Sequence, residues 1–151
     1  MAGVAIQIFS EDVNFVLKQK KIVKGWLLAV IQEEGFILDE LNFIFCSDEY
    51  LLRMNQEYLD HDTYTDVITF DNSEGGRSIL GDIFISIDRI KENAHTHGVS
   101  LRTELCRVMV HGTLHLLGYK DKTKAAKQIM IGKEDYYLQK LVPSSESLKM
   151  P

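Results

Sequence analysis

Proline is almost absent from this chain: its two prolines, Pro143 and Pro151, both lie beyond Val142. Glycine-rich or low-complexity tracts and internal repeats are also missing, so nothing marks a linker. The 151 residues therefore read as one domain over 1–141, long enough to bury a sizeable core. The small polar residues 142–151 (VPSSESLKMP) read as a flexible tail. Only two cysteines occur, Cys46 and Cys106, and neither belongs to a CxxC pair. That disfavours a cysteine zinc site; both read as free buried thiols in a reducing compartment, with a disulfide as the weaker alternative. No apolar run approaches the roughly 18–20 residues of a membrane span. The opening MAGVAIQIFSED lacks a basic segment followed by an apolar one, so it does not read as a signal peptide. An excess of positive charge is lacking too: 17 Lys and Arg stand against 22 Asp and Glu, a net charge of −5. A broad, non-specific nucleic-acid binder is thereby disfavoured, while contact through a local basic patch is not.

The elements that are present alternate between two periods. Residues 4–9 (VAIQIF), 41–46 (LNFIFC), 66–71 (DVITFD) and 80–87 (LGDIFISI) read as strands. NSEGG at 72–76 is a turn, and 75–81 fits a hairpin connection. A helix is expected over 12–34, clearest where Val23, Trp26, Leu27, Val30 and Ile31 recur at helical spacing, with Gly35 at its C-cap. Ser47 or Asp48 caps a helix to about Tyr58, and Asp88 opens one that Gly98 ends. Ser100 caps a helix over 101–117 that Gly118 stops, and Thr123 starts a last helix to about Leu141. The fold class is α+β: a single domain with a mixed sheet of about four strands covered by helices. Strand order is not readable.

The chemistry concentrates in VMVHGTLHLLGYKDK, residues 108–122. His111 and His115 are four apart on an expected helix, which puts both imidazoles on one face where they can share a metal. Gly118 then takes positive φ, and the returning chain brings Asp121 to the same ion. Catalytic zinc commonly has three protein ligands and an open position for water. The spacing H-x-x-x-H-x-x-G-x-x-D follows the ligand periodicity of the metzincins, with Asp121 in the third place. Protein-cleaving members of that class carry a glutamate directly after the first histidine as general base. Gly112 stands there instead, so peptide hydrolysis loses support, and the glycine lets another element pack close to the helix.

His95 and His97 would face different sides of a helix, and His61 lies in the polar stretch DHDTYTD; all three read as solvent-exposed. Lys120, Lys122, Lys124, Lys127 and Lys133 surround or follow the third ligand. A solvated helix face and a phosphate-binding patch explain them equally, and closeness to the metal tips the reading toward a phosphodiester substrate. Lys18, Lys20, Lys21 and Lys24 read as a solvated face. Asp66 and Asp82 are candidates to bound the cleft, with strand capping as the alternative. Glu104, seven residues before His111, is a candidate to orient a ligand imidazole.

The segment HGTLHLLGYKD (111–121) resembles the HGxLHLxGYDH pattern of the YbeY family of bacterial rRNA-maturation endoribonucleases. LLRMNQEYLDHDTYTDVITF (51–70) looks like that family's LNxxYR…PTDVLSF stretch, and LGDIFIS (80–86) is similar to its LGDIxIS strand. Met130 and Glu134 fit its trailing M…E helix. The resemblance spans roughly residues 40–140. It implies a metal site of three side chains, here His111, His115 and Asp121, read as one Zn(2+) per chain with another divalent metal as the alternative. That site would be the catalytic centre of a cytoplasmic enzyme cutting single-stranded RNA. It further implies maturation of the 3′ end of 16S rRNA and ribosome quality control, with the small ribosomal subunit as partner. Two departures stand out. The third ligand, usually histidine, is Asp121, which makes the site one charge more negative. Leu59 follows Tyr58 where the family has arginine, and Tyr64 replaces the proline before TDV. A ribosome-assembly factor with a structural metal is therefore the non-catalytic alternative, and a metallopeptidase is a weaker one.

Overall fold

In the computed structural model, residues 5–59 and 65–141 are described. Their element order is β1 (Ile6–Ser10), α1 (Lys20–Glu33), β2 (Ile37–Cys46), α2 (Asp48–Tyr58), β3 (Val67–Asp71), β4 (Ser78–Ser86), α3 (Ile87–His97), α4 (Leu101–Leu116) and α5 (Lys124–Leu141). The four strands form one mixed sheet in the order β1-β2-β4-β3. β1 pairs parallel with β2, β2 pairs parallel with β4, and β3 lies antiparallel along β4. The expected α+β class and strand count hold. β2 is longer than expected, because the exposed or half-buried residues 37–40 before Leu41 continue the ladder to Ile37.

Strand alternation sorts side chains between two layers. Phe43, Phe45, Ile83 and Ile85 face the main core, where they meet α1, α3, α4 and α5. Ile68 and Cys46 face the other way, under Leu51 of α2, with Phe70 and Phe84 packed against them. Helix α1 buries Val23, Trp26, Leu27, Val30 and Ile31, the stripe its sequence spacing predicts. The Trp26 indole donates to the Tyr137 carbonyl at 2.7 Å, which ties α1 to α5.

The helix expected over 12–34 begins only at Lys20. Residues 12–19 carry β-branched and aromatic side chains of weak helix propensity, and these are used as anchors instead. Leu17 is buried, Phe15 packs edge-on to Phe45 at 5.4 Å, and the Ser10 hydroxyl donates to the Phe15 carbonyl. Gln19, at φ 57°, then turns the chain into α1.

Two of the remaining helix starts, at Ser47 and Ser100, are capped as the sequence reads, and a third is capped by a serine the sequence reading did not pick out. Ser47, Ser86 and Ser100 hydroxyls accept from the backbone amides of Tyr50, Arg89 and Thr103. The cap of α3 is Ser86 rather than a residue next to Asp88, which moves that start by one position. Gly98 ends α3 in the left-handed region. No described helix is long and apolar enough to cross a membrane. The expected tail, 142–151, and His61 and Tyr64 lie outside the described residues.

Candidate metal centre

Helix α4 is buried almost all round, by Leu105, Val108, Met109, Val110, Leu114 and neighbours. Such a helix belongs in the middle of a core, and here it runs against β3 and β4 on one side and α3 and α5 on others. Gly112 allows the approach to the sheet. A Cβ there would stand 3.0 Å from Ile83 Cγ2, 3.1 Å from Ile83 Cδ1 and 3.4 Å from Thr69 Cγ2. The packing role expected for this glycine is what is observed. His111 and His115 occupy the strip of α4 left half-open, with side-chain exposures of 21% and 25%.

The end of α4 is a Schellman turn. The Gly118 amide donates to the His115 carbonyl at 3.0 Å and the Tyr119 amide to the Leu114 carbonyl at 3.1 Å, with Gly118 at φ 107°. This reversal returns the chain past the histidines. Asp121 Oδ2 then lies 3.2 Å from His115 Nε2 and 3.4 Å from His111 Nε2. All three donors fall within 4.8 Å of one another. Ligand bonds of about 2.0–2.1 Å at tetrahedral angles require donor–donor edges of roughly 3.3–3.4 Å. The two carboxylate–imidazole edges are close to that requirement, and the three residues together form a group able to hold a metal ion.

Behind His111 stands a residue of α5. Glu134 is buried, and its Oε2 lies 2.6 Å from His111 Nδ1. Its other oxygen accepts from Arg107 Nη1 at 2.7 Å, while Arg107 Nη2 donates to Asp135. A carboxylate bonded to Nδ1 fixes the ring and leaves Nε2 directed at the shared position. Burial would lower the His111 pKa, but the hydrogen bond and charge of Glu134, with the charges of Asp121 and Asp66, raise it above the ordinary value. In the protein without metal, a proton therefore competes for this imidazole.

Several sequence expectations need correction here. Glu104 does not orient a ligand imidazole: its Oε1 meets His97 Nδ1 at 3.2 Å. Seven helical residues separate it from His111 by roughly 10 Å along the axis, beyond side-chain reach. Glu134 has the role instead, and the signal for it was the M…E pattern on the last helix. Asp82 does not bound the metal cleft. Its neighbour Ile83 faces α4, so Asp82 points to the opposite face, where it accepts from Asn42 at 3.0 Å. There it lines a cleft of about 530 Å³ with Tyr50, Arg53, Phe70 and Phe84.

Asp66 does lie on the His111 side, within electrostatic reach; desolvation pushes its carboxyl up and the charge of His111 pulls it down, with a net rise. Lys133 is not a free cation, since its ammonium pairs with Glu34 at 3.0 Å. Lys120, Lys122, Lys124 and Lys127 are exposed, as are His95 and His97. Leu59, where the resemblance would place arginine, is an exposed apolar residue at the C-cap of α2. The two cysteines are free and buried, as read from the sequence.

Comparison with known proteins gives one consistent answer. The family model described as Endoribonuclease YbeY matches residues 5–142. A protein of Cytophaga hutchinsonii named Endoribonuclease YbeY is 54% identical over 130 residues, covering 86% of this chain and 91% of its own. One of the same name from Porphyromonas gingivalis is 40% identical over 146 residues, covering 95% and 96%. The solution structure of TM1509 from Thermotoga maritima superposes with a TM-score of 0.66 at 27% identity, over 95% of this chain and 93% of that one.

Proposed function

From the premise that this chain belongs to the YbeY endoribonuclease family, we propose that it is a zinc-dependent endoribonuclease that cuts single-stranded RNA. The reading extends to cytoplasmic maturation of the 3′ end of small-subunit rRNA and to ribosome quality control, with the small ribosomal subunit as partner. The observation that carries it is the convergence of His111 Nε2, His115 Nε2 and Asp121 Oδ2 on one position, with Glu134 fixing His111 from behind.

His111, His115 and Asp121 would hold the zinc, which when bound would supply Lewis acidity and lower the pKa of water to near ~7. The chain's own residues set the conditions. Glu134 holds the His111 ring with Nε2 outward. Asp66, whose carboxyl burial holds above its ordinary pKa, lies within electrostatic reach of His111 and bounds the same cleft in this reading. Exposed Lys120 and Lys122 flank Asp121 and bring positive charge to the approach of a phosphodiester. Gly112, packed on Ile83, leaves no side chain where a peptidase of this spacing has its base.

A second reading is favoured by one observation, the exposed Leu59: without the family's arginine, the metal would serve an assembly factor that does not cut RNA. Metal content and cleavage of a single-stranded RNA, measured on wild type beside His111→Ala with a chelator control, separate the two. Metal-dependent cleavage that the variant lacks is the expected result. Bound metal without cleavage moves the reading to the assembly factor, and a wild type that binds no metal overturns both.

A further inference from the structure

Asp121 is the donor whose position needs an explanation. Among the described residues its carboxylate meets only the two imidazoles, so no group outside the donor set fixes it by direct contact. It sits in a stretch without repetitive structure between α4 and α5. Both ends of that stretch are pinned. At the far end the Thr123 hydroxyl accepts from the Ala126 amide at 3.0 Å and caps α5. At the near end the Tyr119 hydroxyl donates to Glu34 Oε1 at 2.7 Å.

Glu34 is itself fixed. It is the C-cap of α1, followed by a Schellman turn in which Gly35, at φ 84°, donates to Gln32 and Phe36 to Ile31. Its Oε2 accepts from Lys133 at 3.0 Å and from the Tyr137 hydroxyl, both on α5. Thus the bond between Tyr119 and Glu34 joins two rigid helix ends, and the same carboxylate holds the helix whose next residue, Glu134, orients His111.

We infer that the Tyr119 hydroxyl, through Glu34, is a positioning group that fixes Asp121 at the metal centre and thereby sets the affinity of that centre for a divalent cation. The inference rests on the metal-centre reading above. Groups that orient ligands from behind typically contribute 10–100-fold in metal affinity. Tyr119 is placed to act on the loop in the same way, because only Lys120 separates it from Asp121.

The test is cobalt(II) binding to the full chain by chelator competition, with the visible absorption spectrum of the loaded protein as a second readout. Tyr119→Phe is expected to raise the cobalt Kd about 10-fold and to change the visible bands, which report donor geometry. Glu34→Ala is expected to do the same, because the phenol then loses its acceptor. Unfolding of the metal-free Tyr119→Phe protein, followed alongside, shows whether it is folded. Folded Tyr119→Phe with unchanged Kd and spectrum overturns the inference, as does a folded Glu34→Ala protein that binds cobalt like wild type. A wild-type chain that takes up no cobalt removes the metal-centre reading and this inference with it; a wild type that binds normally leaves the variants to decide the inference alone.

Discussion

Glu134 Oε2 stands 2.6 Å from His111 Nδ1, a contact between the last helix and the central one that no local sequence rule requires. Its consequence is measurable. Glu134→Ala should weaken zinc binding about 10–100-fold in chelator competition, because the His111 ring loses its orientation. Arg107 keeps Asp135 as a partner, so the variant should fold. Glu134→Gln, which can still accept from Nδ1, should lose less.

Gly81 and Gly112 should differ under the same substitution. A Cβ at Gly81 would stand 2.6 Å from the Phe70 carbonyl oxygen and 3.0 Å from Leu116 Cδ1. Backbone cannot swing aside, so Gly81→Ala should cost about 1–3 kcal/mol or more. At Gly112 the obstacles are Ile83 and Thr69 side chains. There a helix-propensity gain of about 1 kcal/mol offsets part of a similar packing cost. Urea denaturation should therefore rank Gly81→Ala as the less stable of the two.

Glu34 gives a pH signature. Burial would raise its pKa, but the hydrogen bonds from Tyr137, Tyr119 and Lys133 lower it below the ordinary value. A carboxyl depressed in the folded state stabilises fully above its unfolded pKa of roughly 4.3, and that contribution is lost as pH falls through the folded value. At pH 7 Glu34→Gln should cost about 1–3 kcal/mol. The gap between wild type and variant should narrow as pH drops below about 4. A gap independent of pH would contradict the assignment.

The thiols should be inert. Burial, helped by nearby carboxylates, pushes Cys46 up to about 12, and burial pushes Cys106 up to about 11 despite the charge of Arg102. The reactive thiolate is then scarce at pH 8. Iodoacetamide followed by intact mass should show no modification of the native protein and two alkylations after unfolding.

Much of this arrangement was legible in the sequence because it is local. The stripe from Val23 to Ile31, the caps at Ser47 and Ser100 and the stop at Gly118 follow from spacing and backbone chemistry within a few residues, and so does the gathering of His111, His115 and Asp121. What failed was tertiary or depended on phase. Glu104 shares a helix face with His111 but lies two turns away, while the residue that reaches the ring comes from a different helix. Lys133 looks like part of a basic patch until the fold brings it to Glu34. Asp82 could have been excluded, since strand alternation with the buried Ile83 and Ile85 already turns it to the other face. The late start of α1 reflects a competition in which Phe15 and Leu17 gain more from packing on the sheet than from continuing a helix.

The three donors all come from the single stretch 111–121, and the sheet and its helices pack through Phe43, Phe45, Ile83 and Leu105 without them. Closing so short a loop removes little entropy from the unfolded chain, so a bound cation restrains the chain far less than it would in a zinc finger, where coordination and folding are one event. A cation held there would be a guest of a finished scaffold, and its loss would leave that scaffold standing.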